Sequence, residues 1–152
     1  MIHEKNPNVL RQGWISVLAK ADYSRLHELW CGNESAEEFQ VLRKPETGLV
    51  MLRGRMGGTG APFNMGEATV TRCSVRSETG LVGHSYVMGR NHDHAVIAAK
   101  LDARLQDEGQ CETLMQDIIK PLEKQMMDEK QEHREKVAAT KVDFFTMVRG
   151  ED

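Results

Sequence analysis

Apolar positions near the start of the chain recur at helical spacing: Leu10, Trp14, Val17, Leu18 and Ala21. Asn6-Pro7 ahead of them reads as a helix start, because Asn caps and Pro is tolerated at the first helical position. Asp22 reads as the cap of a second helix, with Tyr23, Leu26, Leu29 and Trp30 on one face and Gly32 at its end. The pair predicts a helical hairpin with Trp14 and Trp30 as core anchors. The period then falls to two. Residues 39–44 and 48–55 read as strands joined by the turn Pro45-Glu46-Thr47-Gly48, with Leu49, Met51, Arg53 and Arg55 sharing one face. Residues 68–76 and 81–88 read as two more strands around the turn Glu78-Thr79-Gly80. The hairpin-type turns predict antiparallel pairing.

After Gly89-Arg90-Asn91 the helical period returns, with Asn91 as cap and Ile97, Ala98, Leu101 and Leu105 on the buried stripe. Residues 112–120 continue as a helix carrying Leu114, Met115, Ile118 and Ile119. Pro121 predicts a break and a fresh helix start, because proline in a helix interior costs about 3 kcal/mol. Residues 128–141 are mostly charged and read as a solvated helix with pairs such as Glu132 and Lys136. Residues 142–150 turn apolar again and hold two of the four Phe of the chain, so they must dock, either on the domain or on a partner. The expected fold is α+β: an N-terminal helical hairpin, an about four-stranded, mainly antiparallel sheet, and C-terminal helices with an extended apolar tail. At 152 residues the chain is expected to form a single domain over residues 1–152, with 142–152 as a partner-docking tail.

The stretch from Arg53 to Gly60 breaks both periods. It packs Gly54, Gly57, Gly58 and Gly60 between and beyond two arginines and is followed by Pro62. A glycine loop exposes its N–H groups, and exposed amides beside Arg are the chemistry that holds phosphate. Arg55, Gly57, Gly58, Thr59 and Gly60 are therefore candidate anion- or nucleotide-binding residues, joined by Arg72 and Arg90. The Gly89-Arg90-Asn91 step offers a second place for an anion, at a helix N-terminus. The same glycines also suit a plain tight turn at a sheet edge, and neither nucleotide-loop spacing is present. Both readings stand at this level.

Charge sharpens the picture a little. The net charge is −3, but residues 43–90 carry +4 and the remainder −7. A positive middle suits an anionic ligand, while the overall balance argues against a general nucleic-acid binder. Cys31, Cys73 and Cys111 are odd in number and far apart, which predicts reduced thiols in the cytoplasm rather than a disulfide framework or a zinc ribbon. No run approaches a membrane span. His92 and His94 have an H-x-H spacing, but residues two apart on a helix diverge, so no metal site is expected. No nucleophile–base arrangement or pair of carboxylates stands out, so catalytic residues are unassigned.

Several blocks occur in order along nearly the whole chain. They are Trp14-Ile15-Ser16-Val17-Leu18-Ala19, Glu46-Thr47-Gly48-Leu49-Val50, Arg55-Met56-Gly57-Gly58-Thr59-Gly60 and residues 63–72 (FNMGEATVTR). Residues 83–90 (GHSYVMGR) and 142–150 (VDFFTMVRG) complete the set. Together they closely resemble the PhnG family, the G subunits of the bacterial carbon–phosphorus lyase core complex. The resemblance implies phosphonate catabolism, assembly with the H, I and J subunits into a symmetric hetero-octamer, and action with the I, H and L subunits. In that reaction a phosphonate displaces adenine from ATP to give a ribose 1-phosphonate 5-triphosphate. MgATP is then a substrate of the complex, and no cofactor is expected to be bound firmly by this chain. The radical chemistry would belong to the J subunit, because this chain lacks the cysteine cluster of such a site. Asp143, Phe144, Phe145, Met147 and Arg149 are the expected partner-docking residues, with the I subunit as their target. The alternative is an independent phosphate- or nucleotide-binding domain that uses the Gly-rich loop and Arg55, Arg72 and Arg90. A free-standing regulatory or nucleic-acid module is disfavoured by the acidic flanks and scarce aromatics.

Overall fold

The helix α3 (His92–Leu105) is the centre of the molecule, with ten of its fourteen residues buried. A helix apolar almost all round belongs in a core rather than on a surface. The computed structural model describes residues 7–33 and 35–139. Among them α3 packs against the helices α1 (Pro7–Lys20) and α2 (Tyr23–Gly32), the strands β1 (Phe39–Arg55), β2 (Pro62–Ser77) and β3 (Val82–Met88), and the helix α4 (Glu108–Leu114). The sheet is antiparallel in the order β1-β2-β3, so β1 is an edge strand.

The caps expected from sequence form. The Asp22 carboxylate accepts from the Arg25 N–H at the start of α2, and the Asn91 side chain accepts from the His94 N–H at the start of α3. Trp14 and Trp30 are both core residues, beside Leu18, Leu26, Leu101 and Leu105. His94 is buried and makes a 2.7 Å hydrogen bond through Nε2 with the Leu18 carbonyl, so it joins α3 to α1. At the far end of α3 the Arg104 guanidinium lies over Trp30, donates to the Asn33 carbonyl and to Gln110, and faces the Glu37 carboxylate at 3.9 Å.

Three sequence expectations are corrected. The sheet has three strands among the described residues, because 39–44 and 48–55 are one continuous strand. Pro45 does not end it. Proline is tolerated on an edge strand or at a bulge, and the register shifts between Val41 and Arg43 and between Arg43 and Glu46 place Pro45 at both. Second, Pro121 does not break the C-terminal helix. The helix passes from α4 through a π-turn at Met115–Ile119 into α5 (Lys120–Ala139). A widened turn just before proline relieves the clash of its ring with the preceding carbonyl and absorbs the missing N–H. Third, the expected strand at 68–76 is longer, beginning at Pro62. The docking tail at 142–152 and the cap at Asn6 lie outside the described residues. The solvated character of 128–138 is as expected, and Lys136 pairs with Glu132 at 3.9 Å.

One residue that the periodicity conceals holds three elements together. Asp102 sits on the buried stripe of α3 with no exposed surface. Its carboxylate accepts from Arg11 Nε (3.2 Å) and Nη2 (2.8 Å), from Trp14 Nε1 (2.9 Å) and from the His84 backbone N–H (2.9 Å). Close by, Gly83 lets β3 approach α3 so nearly that a β-carbon there would stand 2.0 Å from the Ala99 carbonyl oxygen and 2.6 Å from the Ala103 nitrogen.

Both features give stability predictions for chemical denaturation. Asp102→Ala strands two charged or polar donors and a backbone amide, and should cost about 3–5 kcal/mol, the range for removing one partner of a buried ion pair. Gly83→Ala should cost about 1–3 kcal/mol by overpacking a backbone–backbone contact that cannot give way.

Candidate functional site

The ladder between β2 and β3 stops at Val70 and Met88, whereas β1 and β2 go on pairing out to Arg55 and Pro62. The excess is a two-stranded arm that projects roughly 20–25 Å beyond the three-stranded sheet, at about 3.3 Å per residue. Among the described residues neither of its edges carries a further strand. Its large apolar side chains face solvent: Leu49 is 64% exposed, Met51 53%, Leu52 45%, Met56 77%, Phe63 45% and Met65 65%. The glycine-rich stretch is the tip of this arm. A short 3-10 turn at Met56–Gly58 reverses the chain, with Gly57 and Gly58 at φ of +61° and +79°, a region that glycine enters at little cost.

The tip uses several of its own polar groups. The Thr59 and Gly60 N–H groups both donate to the Met56 carbonyl, and Arg55 Nη1 donates to the Gly60 carbonyl at 3.4 Å. These two amides close the turn instead of pointing at a common ligand. Arg72 stands opposite Glu46 in the ladder, nine positions along β1 from Arg55. That separates the two by roughly 30 Å. Arg90 is exposed in the turn between β3 and α3, near the end of the three-stranded region. The structure therefore does not bring Arg55, Arg72 and Arg90 into one site within the chain, which corrects the picture of a shared phosphate pocket. Gly57, Gly58, Thr59 and Gly60 stay together with Arg55 at the tip.

The base of the arm is polar on both faces. On the helix side Thr47 Oγ1 lies 3.1 Å from Thr71 Oγ1 and 3.1 Å from His92 Nε2, and Thr71 donates to the Gly89 carbonyl. His92 is thus tied to the sheet while His94 is in the core, so the two histidines diverge as their spacing demands. On the open side Glu46 receives Arg43 Nη1 at 2.7 Å and Arg72 Nε at 2.6 Å, beside Tyr86. Arg43 and then Arg72 hold the Glu46 carboxyl below its ordinary value of 4.5 by hydrogen bonding. The Arg72 guanidinium is held above its usual value, first by its hydrogen bond with Tyr86 and then by Glu46. A hollow of about 210 Å³ lies over Arg72, Tyr86, Val50 and Val70. Cys73 on the same strand is buried, and burial raises its thiol pKa, so it is a core residue and no nucleophile.

Sequence reasoning found the glycine tip and Arg72 but missed the arm. The signal was the unbroken run Leu49-Val50-Met51-Leu52, which leaves neither face of a strand polar. The described residues hold no cluster of three or more His, Cys, Asp or Glu side chains placed for a metal. None of their helices is long and apolar enough to cross a membrane.

A helical body organised on one buried helix, with an open sheet and a bare apolar arm, defines a protein built to be completed by another chain. This chain belongs to the family described as phosphonate metabolism protein PhnG, whose profile matches residues 10–150. It is 43% identical over 145 residues, 93% of its own length and 90% of the relative's, to a protein of Rhizobium meliloti (strain 1021). That relative is the PhnG subunit of alpha-D-ribose 1-methylphosphonate 5-triphosphate synthase.

The Glu46 bridge carries a pH prediction. A lowered carboxyl value means that the charged, bridging form persists above pH 4.5 and opens only as the pH falls through the depressed midpoint. In an NMR titration the Glu46 carboxyl should titrate below 4.5, and Arg43→Ala should raise its midpoint towards that value.

Proposed function

We propose that this chain is an accessory subunit of an alpha-D-ribose 1-methylphosphonate 5-triphosphate synthase and acts with the I, H and L subunits. In the reaction a phosphonate oxygen attacks C1′ of the ATP ribose. The C1′–N9 bond breaks, adenine departs with the electron pair, and the 5′-triphosphate is retained. MgATP enters as substrate of the assembly, and the chain holds no cofactor of its own. The I subunit provides the nucleosidase chemistry. The J subunit joins the same cytoplasmic hetero-octamer and cleaves the carbon–phosphorus bond later. The role of this chain is to shape and stabilise the active site of its neighbours.

The observation that carries the reading is the arm. Its row of exposed Leu, Val, Met and Phe is far from the singly scattered apolar residues of an ordinary monomer surface. A subunit uses such a surface, and a self-contained enzyme has no need of it. Family membership and the relative's name support the reading as a subunit of such a synthase.

The test is reconstitution. The full chain co-expressed with the I and H subunits should elute with them as one species. Addition of the L subunit, MgATP and methylphosphonate should then release adenine. A variant with residues 50–68 replaced by Asn-Gly, which keeps Leu49 opposite Thr69, should keep the melting temperature of the helical body but fail to enter the complex and support no adenine release. Deletion of residues 142–152 should also abolish co-purification with the I subunit; assembly unchanged by that deletion removes the docking role of Asp143, Phe144, Phe145, Met147 and Arg149.

A further inference from the structure

Burial alternates along β2 and β3 and makes the two faces of the sheet unlike. Thr71, Cys73, Val75 and Ser77 on β2 and Ser85 and Val87 on β3 are buried under the helices, while Arg76, His84, Tyr86 and Met88 point the other way and are exposed. This open face continues into the arm. By the ladder register and strand alternation it takes Val50 and Leu52, with Ala68 and Gly66 opposite them, and then Phe63 opposite Gly54. The Met65 thioether fills the place where a β-carbon of Gly54 would stand, so it lies on the same face. The reverse face of the arm is mixed, because Leu49 and Met51 share it with Thr69, Glu67, Arg53 and Arg55.

Val50, Leu52, Phe63, Met65, Tyr86 and Met88 therefore form one uncharged, exposed strip. Six large side chains, each partly exposed, leave roughly 600 Å² of mostly apolar surface, the top of the range for the largest patch on a monomer and most of one side of a standard interface. The charge of this face lies at the body end of the strip. Arg43 and Arg72 both donate to Glu46, so two guanidinium groups share one carboxylate and one positive charge is left over, beside Tyr86 and the hollow above Val50 and Val70. Arg76 stands further along, where Glu38 and Glu78 line the same hollow.

We infer that the open face of the sheet, from Tyr86 out to Phe63, docks a different subunit, and that this partner brings an apolar stretch with a carboxylate at one end, which meets Arg43 and Arg72. This rests on the subunit reading above and names the face and the chemistry of the contact. A second copy of this chain lacks the matching charge. The one acid along the strip is Glu46, already held by two arginines, and Glu67 is on the reverse face. Twofold packing of the strip on itself sets each spare cation against its own equivalent or against Phe63 and Met65.

The test separates the two faces and the charge. Three full-length double variants keep strand propensity by using threonine: Val50→Thr with Leu52→Thr and Tyr86→Thr with Met88→Thr on the open face, and Leu49→Thr with Met51→Thr on the reverse. Each is titrated against the co-expressed I and H subunits at low and high salt, with thermal melting of the free variant as the folding control. Docking on the open face predicts that both open-face pairs weaken binding by about tenfold or more with the melting temperature unchanged, while the reverse-face pair keeps wild-type affinity. Arg43→Gln and Glu46→Gln break the same bridge in opposite electrostatic directions. The first removes the spare cation and should weaken binding and flatten its salt dependence; the second frees two cations and should steepen it. Responses of the same sign in these two variants overturn the carboxylate contact. An equal loss from the reverse-face pair, or full affinity in both open-face pairs with wild-type assembly intact, overturns the docking face while the subunit role survives. Failure of the wild-type chain to assemble overturns both. Sedimentation of the free chain as a dimer that the open-face pairs dissociate assigns the face to a second copy and overturns the proposal.

Discussion

The structure depends on a carboxylate placed where only apolar groups belong. Asp102 lies at the heart of α3, and a bare charge there would carry a penalty of several kcal/mol. Four donors from two other elements offset it: Arg11 twice and Trp14 from α1, and the backbone of β3 at His84. The arrangement fixes more than a pairwise contact. Arg11 also reaches the Val82 carbonyl, and Gln106 donates to the same oxygen, so the first residue of β3 is clamped from two helices. With Gly83 seated against the α3 backbone, β3 has one register and one height over the helix. Apolar packing alone tolerates sliding far better than a satisfied, directional polar network does.

That rigidity explains why the arm can exist. A two-stranded ribbon is marginal in water by itself. Here its strands are continuous with β1 and β2 of a sheet anchored on α3, so the ladder is nucleated at its base and only has to propagate. The Thr47, Thr71 and His92 contacts on one face and the Arg43, Glu46 and Arg72 bridge on the other pin the point where the ribbon leaves the body. Beyond that point the side chains gain nothing from the chain's own core. Full burial of each would be worth about 1.5–3 kcal/mol.

Much of this was legible in the sequence, and the omissions have physical causes. Caps at Asp22 and Asn91, the two core tryptophans and the stripe of α3 follow from local rules, and local rules held. Pro45 and Pro121 were read as stops because proline penalises the middle of a strand or helix. In the fold one sits on an edge strand between register shifts, and the other follows a π-turn, so neither meets the penalty. Asp102 was invisible because a single carboxylate in an apolar stripe looks like an interruption until its partners, eighteen to ninety-one positions away in sequence, are known. Arg55 and Arg72 were grouped by charge, yet a strand converts sequence separation into distance almost in full, and a long hairpin keeps its tip and base apart.

The charge distribution now has a geometry. The positive middle of the sequence is the sheet and its arm, whereas the helices are close to neutral and most of the acidic excess lies in the sequence outside them. At the base of the arm the positive side is partly neutralised by Glu46, and along the arm Arg53 and Arg55 are accompanied by one carboxylate, Glu67, opposite Met51. The same separation weighs against an independent nucleotide site, which would need its cations to converge on one ligand, whereas this fold strings them along a ribbon.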